Sequence, residues 1–266
     1  MYAAKIIEAE KLRNEDRTDL QNEIFVLRHL KKHKNAITLF DFFQDSTNIY
    51  LITECVLGGE LFDRIASKEV YTEIEARNTC KSLLSILAHL DLHNIVHRDI
   101  KPENILLLSR DDDADIKLAD FGFAKMMKDG QYLTTQCGTP TYVAPEILSG
   151  IPYGTKSDMW SFGVIMYTLL FGYPPFLAQD QKKLFEIIKG GVVEYDDGIS
   201  PEAKRLLMGM LNIDPKRRLS ATEASQSSWI VCSDGDLIGH ELDMKKFCTY
   251  NAKRKLRSAV LSVSLV

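Results

Sequence analysis

At Gly58–Gly59 the periodicity of the sequence changes, and with it the kind of structure each side can form. Before it, "YAAKII", "AITLFDFFQ" (36–44) and "IYLITECV" (49–56) are short runs rich in β-branched and aromatic residues, the last two joined by the polar turn "DSTN". Between the first two lies "TDLQNEIFVLRHLKKH" (18–33), where Leu20, Ile24 and Leu27 recur at helical spacing and Thr18 with Gln21 reads as a capping box. After the glycines the pattern is helical, over 61–66, 73–92, 157–171, 181–189, 201–211 and 221–228. A small sheet with one helix, followed by a helical body, is an α+β chain with a cleft where its parts meet.

Composition narrows the class. With 266 residues, 45% of them apolar and 26% charged, the chain can bury one large core or two smaller ones. A formal net charge of −4 lacks the basic surplus of a nucleic-acid binder. The five cysteines are scattered without a CxxC pair, which argues against a disulfide framework or zinc site and for a reducing compartment, cytoplasmic or nuclear. No long apolar stretch at the N-terminus reads as a secretory leader. The most apolar segment, Met159–Tyr173, falls short of the roughly 20 residues of a membrane span and reads as a buried helix.

Three stretches carry chemistry: "HRDIKPENILLL" (His97–Leu108), "IKLADFGFAK" (Ile116–Lys125) and "GTPTYVAPE" (Gly138–Glu146). Phosphoryl transfer needs positioning and charge neutralisation more than covalent help. Asp99 could orient a hydroxyl, Lys101 could reach a transferring phosphate, and Asn104 and Asp120 are oxygen donors suited to Mg²⁺. A rival pattern, His89, His93 and His97 spaced by four, would form a metal-binding face on a continuous helix. Asn94 followed by Ile95–Val96 breaks that helix, which leaves His97 a packing role.

H-R-D-x-x-x-x-N, then D-F-G, then A-P-E, in this order and over essentially the whole chain, resembles the eukaryotic protein kinases. The resemblance implies a bilobal kinase-like fold with a truncated N-terminal sheet lobe (1–57), a mainly helical C-terminal lobe (58–230) and a tail (231–266). It implies ATP and Mg²⁺ as cofactors, Asp99 as base, Lys101 on the phosphate, and Asn104 and Asp120 on the metal. Lys5 would hold the α- and β-phosphates and Glu23 would hold Lys5. Ala3 and Leu106 would sandwich the adenine, Glu54 and Val56 would offer hinge backbone, and Thr53 would be the gatekeeper. Glu60 and Glu103 would line the cleft rim, for ribose or for basic side chains of a substrate. "KPEN" and Thr139 resemble the serine/threonine kinases, and Arg98 would pair with a phosphate on Thr135, or second on Thr134. Glu146 with Arg218 would form a buried pair, and Asp158 would brace the catalytic loop.

From Met244 to Val266 the chain carries Lys245, Lys246, Lys253, Arg254, Lys255 and Arg257 and no acidic residue, with apolar positions near helical spacing. A basic amphipathic helix suits a membrane surface or calmodulin. Together with "GGELFDRI" and "GYPPF" it resembles the calcium/calmodulin-dependent kinases, which implies a helix that blocks the cleft until calmodulin removes it, with Phe247 and Val260 as end anchors. Two departures accompany this. The glycine-rich loop expected before Lys5 is absent, and "GGVVEYDDGISPEAK" is short. Both read as an incomplete gene model or a spliced product, and they keep two alternatives open: a catalytically impaired kinase-like scaffold, or an interaction protein that works through a calmodulin-binding tail. Substrates are expected to be proteins with Ser/Thr near basic residues, with no nucleic acid and no membrane span.

Overall fold

The computed structural model describes residues 1–31, 33–109, 112–196, 198–237 and 241–263, leaving aside the side chains of 236, 258 and 260–263. Strand β1 (Tyr2–Glu8) runs antiparallel to β3 (Asn48–Glu54), whose other edge takes β2 (Leu39–Gln44), giving the order β1-β3-β2. Lys5 lies opposite Leu51 and Ala3 opposite Thr53. Ile49 and Leu51 turn inward from β3 and pack with Leu20, Val26, Leu27 and Leu30 of α1 (Asn14–Leu30). β2 begins three residues later than its apolar run suggests. Ala36 instead makes an isolated bridge to Leu118, and the Ile37 N–H donates to the Leu118 carbonyl.

Helix α1 also differs from its reading. It starts one turn before Thr18, and the Asp16 carboxylate accepts from the Arg13 N–H at 2.9 Å. The Thr18 hydroxyl donates to the Asn14 carbonyl from inside the helix. The acids of the first turn favour the earlier start by complementing the helix dipole.

Beyond the link at 55–60 come α2 (Leu61–Ala66) and α3 (Glu73–Leu92), then β4 (Ile95–Val96), β5 (Ile105–Leu107), β6 (Ile116–Leu118) and β7 (Lys125–Met126). β4 pairs with β7 and β5 with β6, all antiparallel, so two short hairpin-like pairs hold the loops between them. The helices α4 (Pro145–Leu148), α5 (Lys156–Phe171), α6 (Gln181–Gly190) and α7 (Pro201–Met210) follow. α5 is buried along nearly its whole length, as its uniformly apolar sequence requires, and no helix among the described residues is long and apolar enough to cross a membrane. The segment read as one helix over 221–228 divides into α8 (Ala221–Ser225) and α9 (Ser228–Val231), because Ser227 takes an extended conformation that breaks the helix.

The last element, α10 (Met244–Val263), crosses α2 and the C-terminal end of α5. The crossing is tight. Gly172, which ends α5 at φ +80°, could not carry a side chain, since a Cβ there would sit 3.0 Å from both the Asp243 carbonyl oxygen and the Phe247 nitrogen. Glu146 and Arg218 form the expected buried pair at 2.6 Å, with the guanidinium also over the Trp160 ring.

Candidate active site

Asp99 sits in the loop between β4 and β5, and three groups aim it. Its Oδ1 accepts from the Thr139 hydroxyl at 2.7 Å, its Oδ2 from the Lys101 ammonium at 2.6 Å, and its backbone carbonyl from the Asn104 amide at 2.9 Å. The loop is held from below by Asp158, near the start of α5, whose carboxylate accepts the His97 N–H at 2.7 Å and the Arg98 N–H at 3.0 Å. These bonds fix Arg98 at φ +69°, a left-handed conformation that is strained for a residue bearing a Cβ. Burial pushes the Asp158 carboxyl up to about 7 against the two N–H donors that pull it down. Gly138 lets Thr139 approach, because a Cβ there would meet the Arg98 carbonyl at 2.8 Å. His97 packs edge-on against Phe121 at 4.7 Å and bonds the Ala119 carbonyl, and burial drives it down to about 4, so it stays neutral.

Across the cleft, both oxygens of the buried Glu23 accept from Lys5 Nζ at 2.9 Å. The sequence spacing gave no hint of this distance; it follows from α1 packing its inner face on β3. Asp120, at φ +56°, keeps a half-exposed carboxylate 4.0 Å from the same ammonium, with the Gly122 N–H at 3.4 Å. The neighbouring Ala119 N–H donates to the Asn104 carbonyl, which ties the two oxygen-donor residues together through the backbone. The Asp120 carboxylate and the Asn104 carboxamide, joined through this backbone bond and with a lysine in reach, supply hard oxygen donors of the kind that fit Mg²⁺ bound to phosphates.

Ala3 lies on β1, opposite Thr53 of β3, Leu106 lies on β5, and Val56 lies in the link. The Glu54 N–H donates to the Thr38 carbonyl, and its carboxylate accepts from the Thr38 N–H and from Lys117 at 2.9 Å. Arg98 donates from Nε to the Phe123 carbonyl at 2.5 Å. Thr135 is exposed and its carbonyl accepts from the Tyr153 hydroxyl, a phenol pushed up to about 12 by burial and pulled back by the Arg98 charge. Thr134 is exposed beside it.

The acidic rim is occupied. Arg254 of α10 places Nη2 2.9 Å from Glu60 and Nη1 2.8 Å from Glu103, with its guanidinium over the Phe62 ring. Burial disfavours the Arg254 charge, but Glu103 and Glu60 overcome it and hold the group protonated. Lys255 pairs with Asp63 at 2.5 Å, Asn251 bonds Asp63 at 3.1 Å, and Tyr250 shares a 2.9 Å hydroxyl contact with Tyr142. Phe247, expected as an anchor for a partner, is buried with its ring 5.1 Å from Phe62; Val260 lies outside the described side chains. The sequence reading missed Tyr142, Tyr250 and Asn251. The available signal was a basic helix facing a chain with an acidic cleft rim.

This geometry, an aimed aspartate facing a lysine–glutamate pair across a cleft, agrees with the comparisons. A family model described as "Protein kinase domain" matches residues 1–230. The chain belongs to the protein kinase family. Among its relatives, the calcium/calmodulin-dependent protein kinase type II subunit delta of Oryctolagus cuniculus is 41% identical over 271 residues, covering 99% of this chain and 51% of that protein. The calcium/calmodulin-dependent protein kinase type II of Caenorhabditis briggsae is 40% identical over 275 residues, covering 100% and 51%, and the Drosophila melanogaster type II alpha chain is 39% identical over 271 residues, covering 99% and 51%. The chain spans about half the length of these relatives.

Proposed function

We propose that this chain transfers the terminal phosphoryl group of ATP to serine or threonine hydroxyls of proteins, and that α10 holds it inactive until calmodulin draws the helix away. The observation that carries the reading is the joint presence of the Asp99–Lys101–Thr139 cluster and the Lys5–Glu23 pair on facing walls of one cleft. Asp99 accepts a hydrogen bond from the substrate hydroxyl and takes its proton as the oxygen attacks. Lys101 and Thr139 orient Asp99, and Lys101 neutralises charge on the transferring group. Lys5, fixed by Glu23, grips the nucleotide phosphates. Asn104 and Asp120 would hold Mg²⁺, which supplies charge neutralisation on the phosphates when bound. With Arg254 lying between Glu60 and Glu103, the same two carboxylates are the natural seat for an arginine of the substrate once α10 leaves. The scaffold reading keeps one observation in its favour: β1 is exposed at nearly every residue.

Incubation with ATP, Mg²⁺ and a basic peptide bearing one serine tests the reading by mass spectrometry. Phosphate on the peptide, reduced about 10³-fold in Asp99→Asn, supports it. Nucleotide-induced thermal stabilisation with no transfer supports the scaffold instead.

A further inference from the structure

The four-spaced histidines do not act together. His97 enters the core, while His89 on α3 and His93 just beyond its end join a residue from the other side of the cleft, His33. The His33 and His89 rings lie 4.9 Å apart at 40°, and the His89 and His93 rings 4.3 Å apart at 44°. His33 belongs to the connection between α1 and β2, three residues beyond the end of the helix that carries Glu23. Its Nδ1 accepts from the Asn35 N–H, which leaves Nε2 to donate to Ser85 of α3 at 3.3 Å, so the bridge to α3 forms with a neutral ring. His93 donates from Nδ1 to the His89 carbonyl at 2.7 Å.

We propose that His33, His89 and His93 form a proton-sensitive joint between the α1–β2 connection and α3, closed while the imidazoles are neutral and loosened when two adjacent rings carry protons. A neutral stack gains from ring contact and lets His33 Nδ1 accept from the Asn35 N–H, whereas protonation at Nδ1 breaks that bond and two imidazolium rings at this separation repel. The surroundings sharpen the effect. The charges acting on His33 are those of His89, of Lys34 on the same connection and of Lys117 on β6, all cationic, with Lys117 itself paired to Glu54. The charge acting on His89 is that of His93. Burial first, and these charges second, hold both His33 and His89 below the usual imidazole range. With the folded values lowered, the unfolded or locally opened chain binds more protons, and the joint loses stability as pH falls below about 6.5. Because α1 ends beside this joint, its loosening would release the helix that brings Glu23 to Lys5. That consequence for phosphorylation rests on the proposed function; the joint does not.

Amide exchange followed by mass spectrometry, with rates corrected for the intrinsic effect of pH, tests it on the full 266-residue chain. Peptides covering 33–39 and 85–96 should lose at least threefold protection between pH 7.5 and 5.5, while α5 keeps its protection. In His89→Gln, which keeps a polar side chain on the partly exposed position, the change should shrink to within the error of the α5 reference; His33→Gln provides the same readout from the other side. Equal loss in the unaltered chain and both variants, or unchanged protection at pH 5.5, would overturn the joint. No ATP or substrate enters the measurement, so its failure and the failure of the kinase reading are separate results.

Discussion

Asp99 illustrates what a residue's neighbours decide. Its type and its place after His97–Arg98 were readable from the sequence, but its two oxygens are distinguished only in three dimensions, one by Thr139 and one by Lys101. The Lys5–Glu23 pair makes a sharper test. Lys5 is half exposed, so the pair adds little to stability, yet it fixes where the ammonium points. Glu23→Gln should therefore lower kcat/KM for peptide phosphorylation by about 10–100-fold, while the thermal midpoint moves by no more than about 2 °C; a large loss of stability in calorimetry would mean the pair is structural. Glu146 and Arg218 predict the opposite division. Both are buried, and Glu146→Gln leaves an uncompensated guanidinium, so urea unfolding should show a loss of about 3–5 kcal/mol. His97 gives a pH signature. Its folded value near 4 lies below the ordinary value near 6.5, so the unfolded state takes up the proton first as pH falls from 6.5 to 4, and stability drops across that window. Comparing thermal midpoints at pH 7 and pH 5, the decrease should be smaller in His97→Asn than in the unaltered chain, since His33, His89 and Asp158 act alike in both.

Among the elements, those whose apolar pattern faces a core were legible at once. α2 and α3 begin and end where their pattern says, and Thr72 with Glu75 caps α3 as a reciprocal pair. α1 was misplaced by a turn because Arg13 is not a residue that announces a helix start; the signal lay in Asp16, an acid three residues on. α10 was legible as a basic helix, but its orientation was not. Sequence periodicity shows that a helix has two faces and does not show which one meets the body of the protein. Here the face with Phe247, Asn251 and Arg254 turns inward, and Lys245, Lys246, Thr249 and Lys253 remain exposed. Arg254 is the residue through which α10 answers the acidic rim. Arg254→Ala leaves Glu60 and Glu103 facing each other without a cation and opens the rim to substrate. The KM for an arginine-bearing peptide should fall about tenfold in steady-state assays, and an unchanged KM would remove α10 from the account of regulation.

At the scale of the molecule, the change at Gly58–Gly59 foretold a strand-rich part and a helical part, and the ordered motifs foretold a cleft with charged residues on both walls. What the sequence could not reveal is that the cleft rim is filled by the chain's own Arg254, a contact between residues 194 positions apart at Glu60. Long-range pairing of this kind depends on the path of the intervening helices and leaves no local pattern. On the proposed function, the molecule is a phosphoryl-transfer site assembled on two walls, with Arg254 of its last helix lying across the acidic rim. The most direct test is the initial rate of phosphate transfer from ATP to a basic serine peptide by the intact chain, with and without calcium-loaded calmodulin. The account predicts a low rate that rises at least about tenfold when calmodulin is added. No transfer in either condition, with calmodulin demonstrably bound, would contradict it.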